Sequence, residues 1–540
     1  MQEKNLKFSY KNYLLDVLLV VILFSIAFFV YSYKIDVVTP GIQGDEITIA
    51  RAGEYVLSLP EIVPFVDINY GHPTPLLYFE GTSIKLFGKT LFAIRLSSIF
   101  FGALSVVAFY VLLRSFFNKT VSIVTSVMML FSYPLVVVSR LAYEITPSLF
   151  FQIMTIVFLH LAWKTKKLKF YAAVGLSLGA GLYTYVGFRT FALIIIFITV
   201  FIQFKLWKRG EKFVKRSAGI FLLSFFVITA PLFAYSLGHA SVISARAKSL
   251  SPFHQGLPAM EVFKELQGAT FRLANLFLPN SNTDHNPNGD PNLKQNPSRV
   301  PMFDIVTFLL FINGLIFMIT KNKKLFLVTA VLSISPLIND IFSLERIPEG
   351  HYYGIGHPNT LRIAGVIPII YFIIAFGLFK MKAFFDEQAK GFYTTMLVVV
   401  GGIVASLNWY VYFNQPFNEY VYFYNGARML RVAEFLNKTS TKEVYISPTF
   451  IADERVKYFT SKDVAMIPYK PKTVEQMLSD TNSLELIIFA PDFNEKLGRA
   501  FWEKIKSQPE IFHGEILASP DNKIDAIIFN NVNNGSILEK

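Results

Sequence analysis

The sequence predicts an α-helical polytopic membrane protein of about eleven transmembrane helices with a small C-terminal extracytoplasmic α/β domain. Three observations predict it. Hydrophobic residues make up 53% of the 540 and charged residues only 16%, too apolar for an ordinary soluble chain of this length. Apolar runs of bilayer length recur up to residue 413, and every second connection between them is basic. Beyond them, short strand-like runs alternate with helical ones.

The first run, Tyr13 to Tyr31, follows Lys4, Lys7 and Lys11, which places the N-terminus in the cytoplasm by the positive-inside rule. No small-residue cleavage site follows its apolar core, and the flank reads Tyr31-Ser32-Tyr33-Lys34. It is therefore read as a retained anchor rather than a signal peptide. In the first outer loop, residues 32 to 89, the stretches Glu46 to Leu59 and Pro75 to Phe87 mix apolar and polar residues at helical spacing. Helices lying in the headgroup zone have that pattern.

The next runs are Thr90 to Leu113, Val121 to Val138, Ile145 to Trp163, Phe170 to Val186, Thr190 to Leu206 and Ser217 to Leu237. A second outer loop, 238 to 302, carries the stretch from Asn280 to Asn292, whose Asn and Pro content suits a mobile cover or a loop pinned by ligand. The last runs are Phe303 to Thr320, Leu325 to Ile341, Leu361 to Phe379 and Phe392 to Phe413. Connections 114–119, 164–169, 205–216, 321–324 and 380–390 must then be cytoplasmic, and all five are basic. The net charge of +13 thus reflects topology, and no nucleic-acid partner is expected.

Residues 1–413 form the membrane domain in this reading and 414–540 the α/β domain, with strands at Val444 to Ile446, Leu486 to Ala490, Gly514 to Ala518 and Ala526 to Phe529 and helices at Thr473 to Ser479 and Lys496 to Ser507. There is no cysteine, which excludes a disulfide framework, a thiolate metal site and a cysteine nucleophile.

Chemistry is expected in the outer segments. Asp45 and Glu46 follow Gly44 in the first outer loop, where an aspartate can act as general base toward a hydroxyl and a neighbouring carboxylate can orient the acceptor or hold a cation. The bland alternative is that both cap the helix that follows. Arg51, His72, Arg95, Arg140, Arg189 and Arg362 lie in outer loops or near outer helix ends, a set suited to phosphate oxygens. Arg95 and Arg189 read more simply as side chains snorkelling to headgroups. Arg140 stands in the short loop Ser139-Arg-Leu-Ala-Tyr-Glu144, which hardly needs both an arginine and a glutamate. His72, in Tyr70-Gly-His-Pro-Thr-Pro-Leu77, suits phosphate or sugar contact, metal ligation or a turn. Glu144, Tyr183, Tyr185 and His357 are the candidates for substrate contact, and Asp284, His285 and Asp290 read either as cation ligands or as a solvated loop.

The run Gly44-Asp-Glu46, the stretch His72-Pro-Thr-Pro-Leu-Leu-Tyr78, the stretch Leu86-Phe-Gly-Lys-Thr-Leu-Phe-Ala-Ile-Arg-Leu-Ser-Ser98 and the Ser139-Arg140 loop together resemble the protein O-mannosyltransferase and aminoarabinose transferase (ArnT-like) superfamily over roughly residues 10 to 380. The resemblance implies a GT-C fold glycosyltransferase that takes a sugar from a polyprenyl phosphate donor on the outer face of the cell membrane. It implies Asp45 as catalytic base with Glu46 positioning the acceptor, and Arg140 on the donor phosphate with His72 nearby; Arg51 and Arg362 are further phosphate candidates. Many relatives have a Pro-Pro pair after the His or Lys, and here it reads Pro73-Thr74-Pro75. The acceptor would be a lipid, a glycan or a protein. A monophosphate leaving group needs no chelating metal, so no cofactor is obligatory, although a divalent cation is compatible with the chemistry. The rival readings are a transporter or lipid-linked sugar flippase and a scaffold that displays the tail. Ion-coupled transporters usually place ionisable groups near the bilayer midplane, whereas here they cluster at helix ends.

Overall fold

The apolar run after the basic N-terminus forms α1 (Tyr10–Ser32) in a computed structural model of the chain. That structure describes residues 10–278 apart from 212 and 255, then 290, 292, 295–343, 358–386 and 391–414. Towards the C-terminus it describes 421–422, 425–439, 443–461, 463–468, 486–489, 507, 512–520 and 524–531. Two compact units emerge: one takes in Met1–Ile35, Ile49–Leu86 and Phe92–Gln415, the other Asp36–Thr48, Phe87–Leu91 and Pro416–Lys540. The second unit thus takes in segments 36–48 and 87–91 as well as the residues from Pro416 on.

The first unit continues with α2 (Gly44–Ser58), which starts in the second unit, and a two-stranded ribbon, β1 (Phe65–Val66) against β2 (His72–Pro73). Next come α3 (Thr74–Phe87), α4 (Leu91–Arg114), α5 (Lys119–Phe131), α6 (Tyr133–Ser139), α7 (Ile145–Thr165) and α8 (Leu168–Gly181). They are followed by α9 (Phe188–Lys208), α10 (Phe213–Gly238), α11 (Ala240–Leu250), α12 (Ala259–Leu276), α13 (Ile305–Lys321) and α14 (Lys323–Ile341). The unit closes with α15 (Thr360–Ile363), α16 (Ile367–Asp386) and α17 (Phe392–Phe413).

Among the described residues eight helical spans are long and apolar enough to cross a membrane, or nine if α5 and α6 are one bent span. The count of eleven is not reached because two expected spans are short: α8 has 14 residues and α13 has 17. The run Val121 to Val138 is not one straight helix either, since α5 and α6 meet at 59°. Pro134 stands in the first turn of α6, where the missing N–H costs nothing, and that makes Ser132 a natural break.

Polar pins join the helices where side chains meet away from water. Asp304 caps α13 through Thr307 N at 2.9 Å and accepts from Asn408 Nδ2 of α17 at 2.8 Å, while Asn408 Oδ1 accepts from Tyr133 N at 3.0 Å. Asp16 of α1 accepts from Tyr110 Oη at 2.9 Å and lies 3.5 Å from both Arg114 and Lys119, so this acid near a helix end has basic partners.

In the second unit, α18 (Ala427–Lys438) precedes β3 (Glu443–Ile446), two short helices, α19 (Pro448–Ala452) and α20 (Glu454–Phe459), and four more strands. These are β4 (Ala465–Pro468), β5 (Leu486–Phe489), β6 (Phe512–Ala518) and β7 (Ile524–Asn531). The sheet order is β4-β3-β5-β7-β6, with β3 parallel to β4 and β5 and β7 antiparallel to β5 and β6. Leu436, Val444, Ile446, Phe450, Val456 and Ile528 fill its core. The four expected strands are present, and β4 is an addition. The expected helices at 473–479 and 496–507 lie outside the described residues, save position 507.

Candidate active site

The acidic pair sits at the first turn of α2, and its two members face different surroundings. Glu46 is fully buried, and its Oε2 accepts from Gln43 N at 3.0 Å. Gln43 O receives Ile47 N at 3.1 Å, so Gln43 is the N-cap and Glu46 reaches back to it as the acid of a capping box does. Asp45 is exposed, and no hydrogen bond to it is found among the described residues. The capping alternative therefore describes Glu46. Asp45 is left exposed at the positive end of the helix.

The body of α2 is locked in the first unit. Ile49, Ala52 and Val56 are buried against Val66 and Leu77, and Gly53 faces Gly81 of α3 so closely that a Cβ on Gly53 would stand 2.8 Å from Gly81 N. Arg51 projects from this helix and is half-buried. The β1–β2 ribbon pairs Val66 with His72, and Thr74 Oγ1 donates to Val63 O beside it.

His72 Nδ1 lies 2.5 Å from Glu144 Oε1, both side chains being mostly buried. Two residues 72 positions apart are thus brought into one contact. A carboxylate against one ring nitrogen fixes the tautomer and aims the other nitrogen. Tyr185 lies within electrostatic range of Glu144, Arg362, Arg246 and Asp340. Arg246, on α11, stacks 5.2 Å from the Tyr70 ring centroid. Sequence reasoning passed over Arg246 because it stands alone in an otherwise unmarked amphipathic stretch.

Arg362 is buried and donates through Nη1 to Ser343 O at 2.7 Å. It belongs to α15, whose N-cap Asn359 accepts from Leu361 N and Arg362 N. Asp340 Oδ1 accepts from Asn359 N at 3.0 Å, and Asp290 accepts from Thr360 N at 2.6 Å and Asn292 N at 2.8 Å. Burial pushes the Asp290 carboxyl up to about 7, against the opposing pull of those two N–H groups. Asp290 is therefore a pin for its loop rather than a solvated residue, and Asp284 and His285 lie outside the described residues, as does His357.

Four of the side chains named from the sequence, Arg140, Arg95, Arg189 and Tyr183, hydrogen-bond to helix or loop backbone. Arg140, 2% exposed, donates through Nη1 to Tyr31 O at 3.0 Å and Tyr33 O at 2.7 Å, through Nη2 to Lys34 O at 3.1 Å and through Nε to Tyr412 Oη at 3.0 Å. A guanidinium at the carbonyl end of α1 satisfies orphan acceptors and the helix dipole. Its geometry is that of a C-cap. Arg95 likewise donates to Ile35 O at 3.4 Å, and Arg189 to Ile243 O at 3.1 Å. Tyr183 donates to Ile228 O at 2.9 Å and accepts from Leu232 N at 3.2 Å. It bridges the turn of α10 around Pro231, where the proline leaves backbone groups without their helical partners.

No group of three or more His, Asp or Glu side chains suited to a metal is found among the described residues. An apolar cavity with about 640 Å³ of empty space, open mouth included, lies among α4, α7, α9, α14 and α16. Phe116, Ile153, Phe191, Leu332 and Phe372 contribute to its wall, and Gln152 and Thr329 are its polar side chains.

Residues 71–235 match the family model described as dolichyl-phosphate-mannose-protein mannosyltransferase. No curated protein matches the sequence significantly. Among solved structures, ArnT from Cupriavidus metallidurans bound to undecaprenyl phosphate superposes with a TM-score of 0.53 at 11% identity, covering 97% of this chain and 98% of the other. The apo state of the same protein gives 0.51 at 11% identity, with coverages of 95% and 97%. With eight or nine membrane-length spans among its described residues, this multi-pass membrane protein shares the GT-C fold of the ArnT structures along almost its whole length, and its residues 71–235 match the mannosyltransferase family model.

Proposed function

We propose that the chain transfers a sugar from a polyprenyl-phosphate-linked donor to an acceptor hydroxyl on the outer face of the cell membrane, with inversion at the anomeric carbon. The observation that carries this reading is the partition of the acidic pair: Glu46 is buried and tied to Gln43 N, while Asp45 is exposed at a helix N-terminus. In the reaction Asp45 takes the acceptor proton as the oxygen bonds to the anomeric carbon. The bond from that carbon to the phosphate oxygen breaks, and polyprenyl phosphate leaves with the electron pair.

The leaving phosphate gains negative charge, and fixed cationic donors lower the barrier to its departure. We assign that role to Arg362, Arg246 and His72, the last oriented by Glu144, with Tyr185 among them as a hydroxyl for the sugar or phosphate. The apolar cavity suits a prenyl chain, because its wall offers contact with isoprene units and few hydrogen-bonding groups. The relative bound to undecaprenyl phosphate supports a carrier of that kind, and the acceptor, whether lipid, glycan or protein, is left open.

The test is transfer of labelled sugar from a panel of polyprenyl phosphate donors in membranes holding the native chain or Asp45→Asn at equal expression. Loss of at least about 100-fold in turnover with donor binding retained is expected for removal of a general base. Equal turnover by the two forms would remove Asp45 from the role, and inactivity of the native chain with every donor would remove the donor class.

A further inference from the structure

The segment that ends in Asp45 is anchored in the C-terminal α/β unit. Ile42 is fully buried there, and its N–H donates to Asn425 O at 2.8 Å. Gly41 has φ of +90°, and a Cβ on it would stand 2.5 Å from that same carbonyl oxygen and 2.9 Å from Ala427 N. The two backbones touch with no space for a side chain, and only glycine adopts this conformation cheaply.

Arg455 completes the grip. Its Nη1 points to Ile42 O at 3.5 Å, and the guanidinium is oriented by Asp453, which accepts from Nε at 2.9 Å and from Nη2 at 2.6 Å. Asp453 is itself fixed as the N-cap of α20. The guanidinium lies flat on Gly426, where any Cβ would fall within 2.1 Å of Nη1. Segment 87–91 is held on the same unit by Lys89, whose Nζ lies 4.3 Å from the Tyr458 ring centroid.

Only Gln43 and Gly44 separate Ile42 from Asp45, and the Gln43–Glu46 cap ties that stretch to the first turn of α2. A displacement of Ile42 is therefore transmitted to the Asp45 carboxylate. A general base must come within about 2.6–3.2 Å of the proton it removes, and a misplacement of about 1 Å costs roughly 100-fold.

We infer that the C-terminal unit positions the base: Asn425, Gly426 and Arg455 hold Gly41 and Ile42, and so set where Asp45 stands. The inference rests on the reading of Asp45 as base. Asn425, Gly426 and Arg455 are positioning residues in this scheme, with no contact to substrate required.

The full-length protein in lipid nanodiscs tests it. The chain has no cysteine, and Gly44 is exposed with nothing within 4 Å of a Cβ added to it, so Gly44→Cys accepts a spin label that reports motion beside Asp45. Arg455→Met, Gly41→Ala and the milder Asp453→Asn are compared with and without the label. Turnover is measured on the unlabelled forms.

The expected result is a more mobile label, kcat lower by about 10- to 100-fold and a donor KM within about twofold of native, as required of an effect confined to the transition state. Arg455→Lys should recover part of the loss. A label as immobile in Arg455→Met and Asp453→Asn as in the native form overturns the inference, as does a mobile label with native kcat. Should Gly41→Ala not fold, the other two variants decide. Native turnover by Asp45→Asn, measured alongside, overturns the base assignment and the positioning role with it, and is recognised as that failure when the label has loosened as expected.

Discussion

Arg140 separates two accounts of the same side chain, a helix cap and a phosphate ligand. Replacing it with Ala removes the donors to Tyr31 O, Tyr33 O, Lys34 O and Tyr412 Oη. Hydrogen bonds to a charged group contribute about 1.5–3 kcal/mol each, but they share one guanidinium and are not additive. Removing the guanidinium leaves neutral buried acceptors behind, each costing about 1–3 kcal/mol and together less than their sum, so a loss of about 3–5 kcal/mol is expected. For unfolding of the whole chain, at about 2.1 cal/mol/K per residue, that converts to a fall of roughly 3–4 °C in the midpoint. Thermal unfolding in nanodiscs, followed by tryptophan fluorescence, reads this directly. Donor KM, measured on the fraction that remains folded, should stay within about threefold of native, since an open phosphate ligand is not what was removed. A native midpoint combined with a donor KM raised tenfold or more would refute the cap argument and return Arg140 to the phosphate.

The other candidates are as readily separated. Glu46→Gln keeps an acceptor for Gln43 N and should retain turnover within about threefold, whereas Glu46→Ala should lose about 0.5–2 kcal/mol of stability as caps do; loss of turnover in the Gln form at native stability would make Glu46 a chemical participant. His72→Ala and Glu144→Gln act through one contact, so a double-mutant cycle on donor KM should show coupling of about 0.5–3 kcal/mol, and additive effects would mean the two work apart. Asp290 has its carboxyl raised to about 7 from 3.8, so between those values the folded state binds more protons than the unfolded. Its contribution is full below about pH 4 and is lost as pH rises through 7. The thermal midpoint should therefore fall from pH 5 to pH 8 more steeply in the native chain than in Asp290→Asn, and parallel profiles would contradict this.

Several elements were legible because a local rule encodes them. The membrane spans follow from apolar runs of bilayer length, and strands β3, β5, β6 and β7 from short buried runs bounded by turn residues. The cap formed by Glu46 is also local, since the residue it serves lies three positions earlier. The bend at Ser132 had its signal in Pro134, but the apolar run continues through it and hydropathy alone reads one span. Strand β4, Ala465–Pro468, was missed because its four residues end in proline and carry no alternation.

The sequence by itself determined that the chain is a multi-pass membrane protein, where eight of its long apolar helices fall, and that the acidic pair opens a helix, because hydropathy and capping act over one helix or one turn. Tertiary structure alone decided which partner each polar side chain meets. Arg140 meets the carbonyls of Tyr31 and Tyr33 more than 100 residues earlier, Tyr183 mends a turn of α10 some 45 residues later, and His72 finds Glu144 across 72 positions. A backbone carbonyl left open at a helix end has the same identity in every residue, so no pattern of side chains announces which arginine will close it. The same holds for Gly41 and Asn425: their contact joins a segment near the start of the chain to one near its end through main-chain atoms, and only folding brings those together.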